Sequence, residues 1–184
     1  MVLGEYFTDR LRLTLSHPRL APLVTEYFIR NREFLRATEP EREAAFFTRG
    51  YQKKLLQADV ERCFAGTAVK FWLSYRGEAR VIGMLSFSAI VMGAFCSCYV
   101  GYRLDKDEVN KGLMTEALLR GEEIAFCDIG LHRLEANIMP RNKQSLRVAE
   151  KAGFVCEGIS QKYLKIDGVW EDHMHMVLLN ESME

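Results

Sequence analysis

Residues 104–114 run Leu104, Asp105, Lys106, Asp107, Glu108, Val109, Asn110, Lys111, Gly112, Leu113 and Met114. This polar stretch with a single glycine leads into a segment of helical apolar spacing. A short loop entering a helix aims backbone N–H groups at one spot, and the helix dipole adds about half a positive charge there. Such a spot binds phosphate without needing cationic side chains. Gly112 permits a left-handed turn, and Asn110 tolerates one better than most residues. Asp105, Asp107 and Glu108 set negative charge against an anion at that spot. On these residues alone, an ordinary strand-to-helix loop is an equally good reading.

Other residues further along carry possible chemistry. Asn142 is placed to cap a helix, with Ser145 in its first turn. Asp172 and, second to it, Glu135 are carboxylates able to take a proton. Tyr99, Val100 and Tyr102 share one strand. His173 and His175 fall on one face of another. Two imidazoles do not make a zinc site, which has three or four ligands, so no metal is expected. No cysteine stands beside a histidine in a nucleophile pattern. Cys96 and Cys98 read as half-buried thiols on one face of a strand.

Taken in order, these segments resemble the GNAT (Gcn5-related) N-acetyltransferases. There, a loop of the form Gln/Arg-x-x-Gly-x-Gly/Ala wraps the pyrophosphate of coenzyme A. Asp107, Asn110 and Gly112 stand at its three defined positions, and only Gly112 keeps the family residue. The runs Met139-Pro140-Arg141-Asn142, Ala152-Gly153-Phe154, Ile166-Asp167-Gly168 and Trp170-Glu171-Asp172-His173 are similar to the RimJ branch of the RimJ/RimL ribosomal-protein N-terminal acetyltransferases. That branch has Pro-Trp-Glu-Pro where this chain has Ala37-Thr38-Glu39-Pro40, near the acceptor site.

The resemblance implies acetyl-coenzyme A as cosubstrate. Its contacts would be Val100, Tyr102, Asp107, Val109, Asn110, Lys111, Gly112, Leu113, Met114 and Asn142. The oxyanion would meet a backbone N–H near Val100, where the family strand is splayed by a bulge. Ser145 matches a serine assigned as general acid to the departing thiolate. Tyr99 stands where some members carry a glutamate base. A terminal α-amine, with a reference pKa of about 7.7–8.0, needs less help than a lysine near 10.4. The missing glutamate therefore fits an α-amine acceptor, with Asp172 as the candidate base. The implied partner is a protein N-terminus, possibly of a ribosomal protein. Alternatives are a small amine, polyamine, amino acid or antibiotic as acceptor, or a degenerate member that only binds, for example to ribosomes or RNA.

The elements that must hold these residues follow from periodicity. Strands are expected over 11–15, 69–75, 81–91, 95–104, 133–139, 154–166 and 169–179. The last two are joined by a hairpin turn at Asp167-Gly168. Helices are expected over 20–34, 46–65, 113–129 and 142–152, with residues 36–43 as a loop. Ser16 is placed to cap the first helix. Trp72, Phe71, Phe87, Phe95 and Phe154 are expected in the core, and Trp170 could line a surface cleft. The order implies an α/β (α+β) layer structure, a mixed and mostly antiparallel sheet flanked by helices.

Bulk properties narrow the class. The 184 residues suit one domain spanning 1–184, large enough to bury a core without staples. Lys plus Arg and Asp plus Glu balance at 25 each, so no basic footprint for nucleic acid is present. Five cysteines are an odd number for a disulfide framework. No signal peptide or membrane span is legible. A cytoplasmic protein, monomer or homodimer, is expected.

Overall fold

A computed structural model describes Val2 and residues 4–183. Its eight strands form one sheet in the order β1-β2-β3-β4-β5-β6-β8-β7. They are β1 (Glu5–Phe7), β2 (Leu11–Leu15), β3 (Ala68–Tyr75), β4 (Gly83–Val91), β5 (Ser97–Leu104), β6 (Arg133–Ile138), β7 (Val155–Ile166) and β8 (Val169–Leu179). Neighbours are antiparallel except β5 and β6, which run parallel. The helices are α1 (Ala21–Arg30), α2 (Arg32–Arg36), α3 (Arg49–Phe64), α4 (Leu113–Glu123) and α5 (Lys143–Lys151).

Both faces of the sheet are covered, so the central strands are apolar on both sides. On β3, Phe71 and Leu73 join the core that includes α4 and α5, while Trp72 packs with α1 and α3 residues on the opposite face. Leu85 and Met84 divide the same way on β4. Helix α4 lies hard against the sheet because it presents Gly121. A Cβ there would stand 2.4 Å from Leu85 Cδ2.

The structure departs from the periodicity in several places. The helix expected over 20–34 breaks at Asn31, whose fully buried side chain donates to Tyr27 O (2.9 Å) and accepts from Lys106 N (2.9 Å). The helix expected from 46 starts at Arg49 behind a 3-10 turn, with Thr48 Oγ1 accepting from Tyr51 N (3.3 Å). Ser16 caps nothing. It donates to Asp59 (2.9 Å), accepts from the Trp72 indole (3.1 Å), and leaves the cap to His17. Residues 92–96 form a turn with positive φ at Gly93 and Cys96, so Cys96 does not share a strand face with Cys98. The same turn turns Phe95 outward, 61% exposed rather than core. Past Glu123, α4 widens into a π-helical turn, Ile124–Ile129. Asp167 and Gly168 both have positive φ (43° and 82°), as a two-residue hairpin turn requires.

Glu122, on α4, has a buried Oε1 with no partner among the described residues. Burial, with Glu123 beside it, pushes its carboxyl from 4.5 up to about 8. The protonated form is the one that fits. Its contribution to stability is complete below the unfolded value of 4.5 and is lost as pH rises to about 8. Glu122→Gln should therefore melt with the wild type near about pH 5 and above it near about pH 9. Thermal melts across that range check this, and a pH-independent difference would contradict it.

Candidate active site

The loop that enters α4 is built from the inside. Asp105 is fully buried and accepts from Arg30 Nε (2.7 Å), Arg80 Nη2 (3.1 Å) and the Asp107 backbone N–H (3.2 Å). Burial pushes its carboxyl up, but these bonds outweigh it and hold the group below the ordinary range. Glu108 is also buried. It accepts from the Tyr75 hydroxyl and from Lys111 Nζ, each at 2.8 Å, and its carboxyl is likewise held low. Two of the three acidic side chains thus face inward and are paired with cations. Asp107 alone stays exposed.

The outward side of the loop is backbone. Asn110 (φ 63°) and Gly112 (φ 74°) both take the left-handed conformation. Gly112 is the N-cap residue of α4 and offers no side-chain cap. The N–H groups of the first helical turn have no carbonyl partner within the helix. Arg10 pins the turn from outside by donating to Lys111 O (3.0 Å) and pairing with Glu116 (2.6 Å). Thr8 also donates to Glu116 (2.5 Å). The sequence reading missed Thr8, Arg10, Arg30 and Arg80, because their partners lie far along the chain.

A cleft of about 760 Å³ starts at this helix end and passes between β5 and β6. Their ladder ends at Tyr99↔Glu135, although β5 runs on to Leu104 and β6 to Ile138. Beyond that pair the strands part, and every second residue turns its N–H and C=O into the gap. The register irregularity lies on the other side of β5, at Ser88–Val91 of β4, rather than in β5 itself. Of the expected coenzyme contacts, Val100, Tyr102, Val109, Asn110, Gly112, Leu113, Met114 and Asn142 line the cleft, while Asp107 and Lys111 do not. Ser145 lines it too. Asn142 Oδ1 accepts from Ser145 N (3.2 Å) and caps α5, and the Tyr102 hydroxyl donates to Ser145 O (2.7 Å). Lys143, Arg147 and Lys151 set three cations along the same wall. Their spacing of four residues made this stripe legible in the sequence, and it went unread.

The opposite face of the sheet carries a polar floor. Asn137 on β6 sits opposite His175 on β8, and Glu135 and His173, each two residues earlier in its strand, share that face. The His175 ring bridges Glu135 Oε1 (2.8 Å) and Ser160 Oγ (2.7 Å). Burial raises the Glu135 carboxyl, and its bonds to His175, Asn137 and Arg133 outweigh that and hold it low. Tyr163 packs between the two imidazoles, with ring centroids 5.5 and 5.3 Å away. Its hydroxyl lies within hydrogen-bonding reach of Tyr99. Phe34, Leu35, Thr38 and Glu39 close this side of the cleft.

Tyr99 is 44% exposed and joins this polar cluster from outside the cleft lining. Asp172, the candidate base, stands apart from the cleft. It is exposed, does not line the cleft, and accepts from the backbone N–H of Lys162 (2.8 Å) where β7 bulges. Trp170 also lies outside the cleft lining, 57% exposed. Among the described residues no helix is long and apolar enough to cross a membrane.

The family model of the acetyltransferase (GNAT) domain matches residues 10–155. The [ribosomal protein uS5]-alanine N-acetyltransferase of Escherichia coli K12 is 39% identical over 168 residues, covering 91% of this chain and 86% of that one. A crystal structure of the ribosomal-protein-S5-alanine acetyltransferase of Vibrio fischeri superposes with TM-score 0.93 at 34% identity, covering 98% of both chains. Mycobacterium smegmatis RimJ, solved in complex with a coenzyme A disulfide, gives TM-score 0.88 at 25% identity and covers 94% of this chain and 83% of that one.

The buried charge cluster should be indispensable to the loop. Asp105→Asn leaves Arg30 and Arg80 without their shared counter-charge, at a cost of about 3 kcal/mol. Urea unfolding measures this, and a midpoint equal to the wild type would show that the cluster does not hold the fold.

Proposed function

The chain belongs to the GNAT acetyltransferase family, and from that premise we propose that it moves the acetyl group of acetyl-coenzyme A to the N-terminal α-amine of a protein, a ribosomal protein being the foremost candidate. The observation that carries this reading is the cleft through the sheet. One end is an uncapped helix terminus suited to a pyrophosphate, and the other is a polar floor on the opposite face. The similarity to a uS5-alanine acetyltransferase supports the choice of acceptor, and the coenzyme A disulfide bound to the mycobacterial relative supports the choice of donor.

The residues divide the work. First-turn N–H groups of α4 and the cations on α5 take the phosphates. The pantetheine arm lies in the gap between β5 and β6, where free backbone groups bond its amides. The thioester carbonyl then rests near Val100, and a backbone N–H there stabilises the oxyanion as it forms. Ser145, at the first turn of α5, supplies a hydroxyl proton to the leaving thiolate. An α-amine is partly neutral near pH 7 and attacks without a strong base.

Mass spectrometry tests the acceptor. The protein is incubated with acetyl-coenzyme A and peptides that begin with alanine, with the α-amine free or blocked and a lysine inside. Acetyl on the free α-amine alone is the expected result. Acetyl on lysine, or only on polyamines and free amino acids, would overturn the reading. For the loop, Asn110→Gly should tighten coenzyme A binding in a calorimetric titration, because it removes the side chain that narrows the approach to the helix end. Weaker binding would show that the Asn110 amide itself serves the coenzyme.

A further inference from the structure

The polar floor holds one atom with nothing to bond. Asn137 Oδ1 is buried and has no partner among the described residues, in a residue that lines the cleft. An unpaired buried acceptor costs about 1–3 kcal/mol, so a fold that keeps one in a cleft wall has a donor to place there. The orientation of the amide is fixed by chemistry. Its Nδ2 donates to the Tyr163 hydroxyl (3.3 Å) and lies in reach of the Glu135 carboxylate. A carboxylate only accepts, so the N–H₂ end must face Glu135 and Oδ1 must face away. Glu135 is itself held by His175, which is braced in turn by Ser160. The chain Ser160–His175–Glu135 thus aims Oδ1.

His173 lines the cleft on the adjacent strand and is 3% exposed. Its Nδ1 is 3.0 Å from Glu171 O. A carbonyl also only accepts, so Nδ1 carries the proton, and in the neutral ring Nε2 offers a lone pair. Both residues lie on the α1–α3 face of the sheet, opposite Tyr102 and Val100, which pack into the α4–α5 core. That face is the one left free once the coenzyme occupies the other.

We infer that Asn137 Oδ1 and His173 Nε2 form the seat of the acceptor amine. Asn137 orients the nitrogen by accepting one of its N–H bonds. As the nitrogen attacks the thioester carbon, the N–C bond forms and the C–S bond breaks. A second amine proton passes to His173 Nε2, and the sulfur leaves with coenzyme A. This inference rests on the acetyltransferase reading above and adds to it the residues that select an amine.

The test separates the two. A panel of free-α-amine peptides, polyamines and amino acids first identifies which amine the wild type acetylates. With that amine, Asn137→Ala should raise the acceptor KM about tenfold and leave the acetyl-coenzyme A KM alone. His173→Asn keeps a donor for Glu171 O but carries nothing at the Nε2 position. It should lower kcat about a hundredfold, with part of the rate restored by added imidazole. A melting shift with coenzyme A, retained in both variants, reports that they are folded. A crystal structure of the wild type with coenzyme A and the acetylated product needs no variant, and should place the acetamide nitrogen in hydrogen-bonding distance of Asn137 Oδ1. Active wild type with unchanged acceptor KM and kcat in the variants, or a structure in which water alone fills the Oδ1 site, overturns this inference only. A wild type that acetylates nothing in the panel overturns both.

Discussion

The parting of β5 from β6 beyond Tyr99↔Glu135 is the constraint around which the rest is arranged. Two strands in the middle of a sheet normally satisfy each other, and a gap there leaves backbone donors and acceptors without partners. Such a gap persists only if the surrounding structure forces it and something else fills it. The outer pairs do the forcing. β5 stays zipped to β4 as far as Leu104, and β6 stays zipped to β8 as far as Ile138. Each strand is held by its far neighbour while the near edges diverge, and α4 and α5 start at the open end. The helix termini and the unpaired backbone therefore converge on one volume without any cationic side chain being required.

Electrostatics of the loop illustrate how poorly a charge count predicts a field. Residues 105–108 hold three carboxylates beside the helix end proposed to take a phosphate, and on composition they should repel it. Asp105 and Glu108 instead turn inward, where Arg30, Arg80 and Lys111 neutralise them. They act as anchors that fix the loop's shape, and the outward surface is left to N–H groups and to Lys143, Arg147 and Lys151. Two of the carboxylates that seemed to oppose an anion, Asp105 and Glu108, are what tie the turn down. The Asn110 departure is milder for a local reason: it occupies left-handed backbone that asparagine tolerates, at φ 63°.

Local signals were legible and long-range ones were not. Apart from the three-residue β1 and the division of α1 from α2, the strand and helix order followed from apolar spacing. The hairpin at Asp167-Gly168 and the cap at Asn142 followed from turn chemistry, which acts within a few residues. The break at Asn31 has a cause 75 residues away, at Lys106 N, and no window of sequence contains it. Phe95 looked like core because aromatic residues usually are, yet it falls in a turn whose two positive-φ residues decide its direction. Asp172 was the candidate base because Tyr99 stands where the family glutamate would be. Its pairing with Lys162 N depends on a bulge that only the register of β7 against β8 reveals. His173 was singled out with His175 by strand alternation, but Asn137 was hidden for the same reason as that pairing: β8 lies between β6 and β7, an adjacency that chain order does not announce.

The two halves of the cleft come from different parts of the chain, and this bears on how one fold serves many acceptors. The cleft wall proposed for the coenzyme is made by residues 100–115 and 142–151, held in place by α4 and by the apolar core beneath it. The opposite wall is made by residues 34–39, in α2 and the segment that follows it, and by Asn137 and His173. Only a few polar ties span these pieces, among them Arg141 to Ala37 O (3.2 Å) and to Glu171 (2.8 Å). Substitutions at residues 34–39 can reshape the acceptor entrance without moving an N–H at the α4 terminus, because the buried sheet separates them. The replacement of an expected tryptophan by Thr38 lies in that separable part. Thr38 lines the cleft, donating its hydroxyl to Leu35 O (3.3 Å), and a small polar side chain there leaves this side of the cleft wider than an indole would. A change of acceptor preference at this wall is therefore compatible with an unchanged coenzyme site.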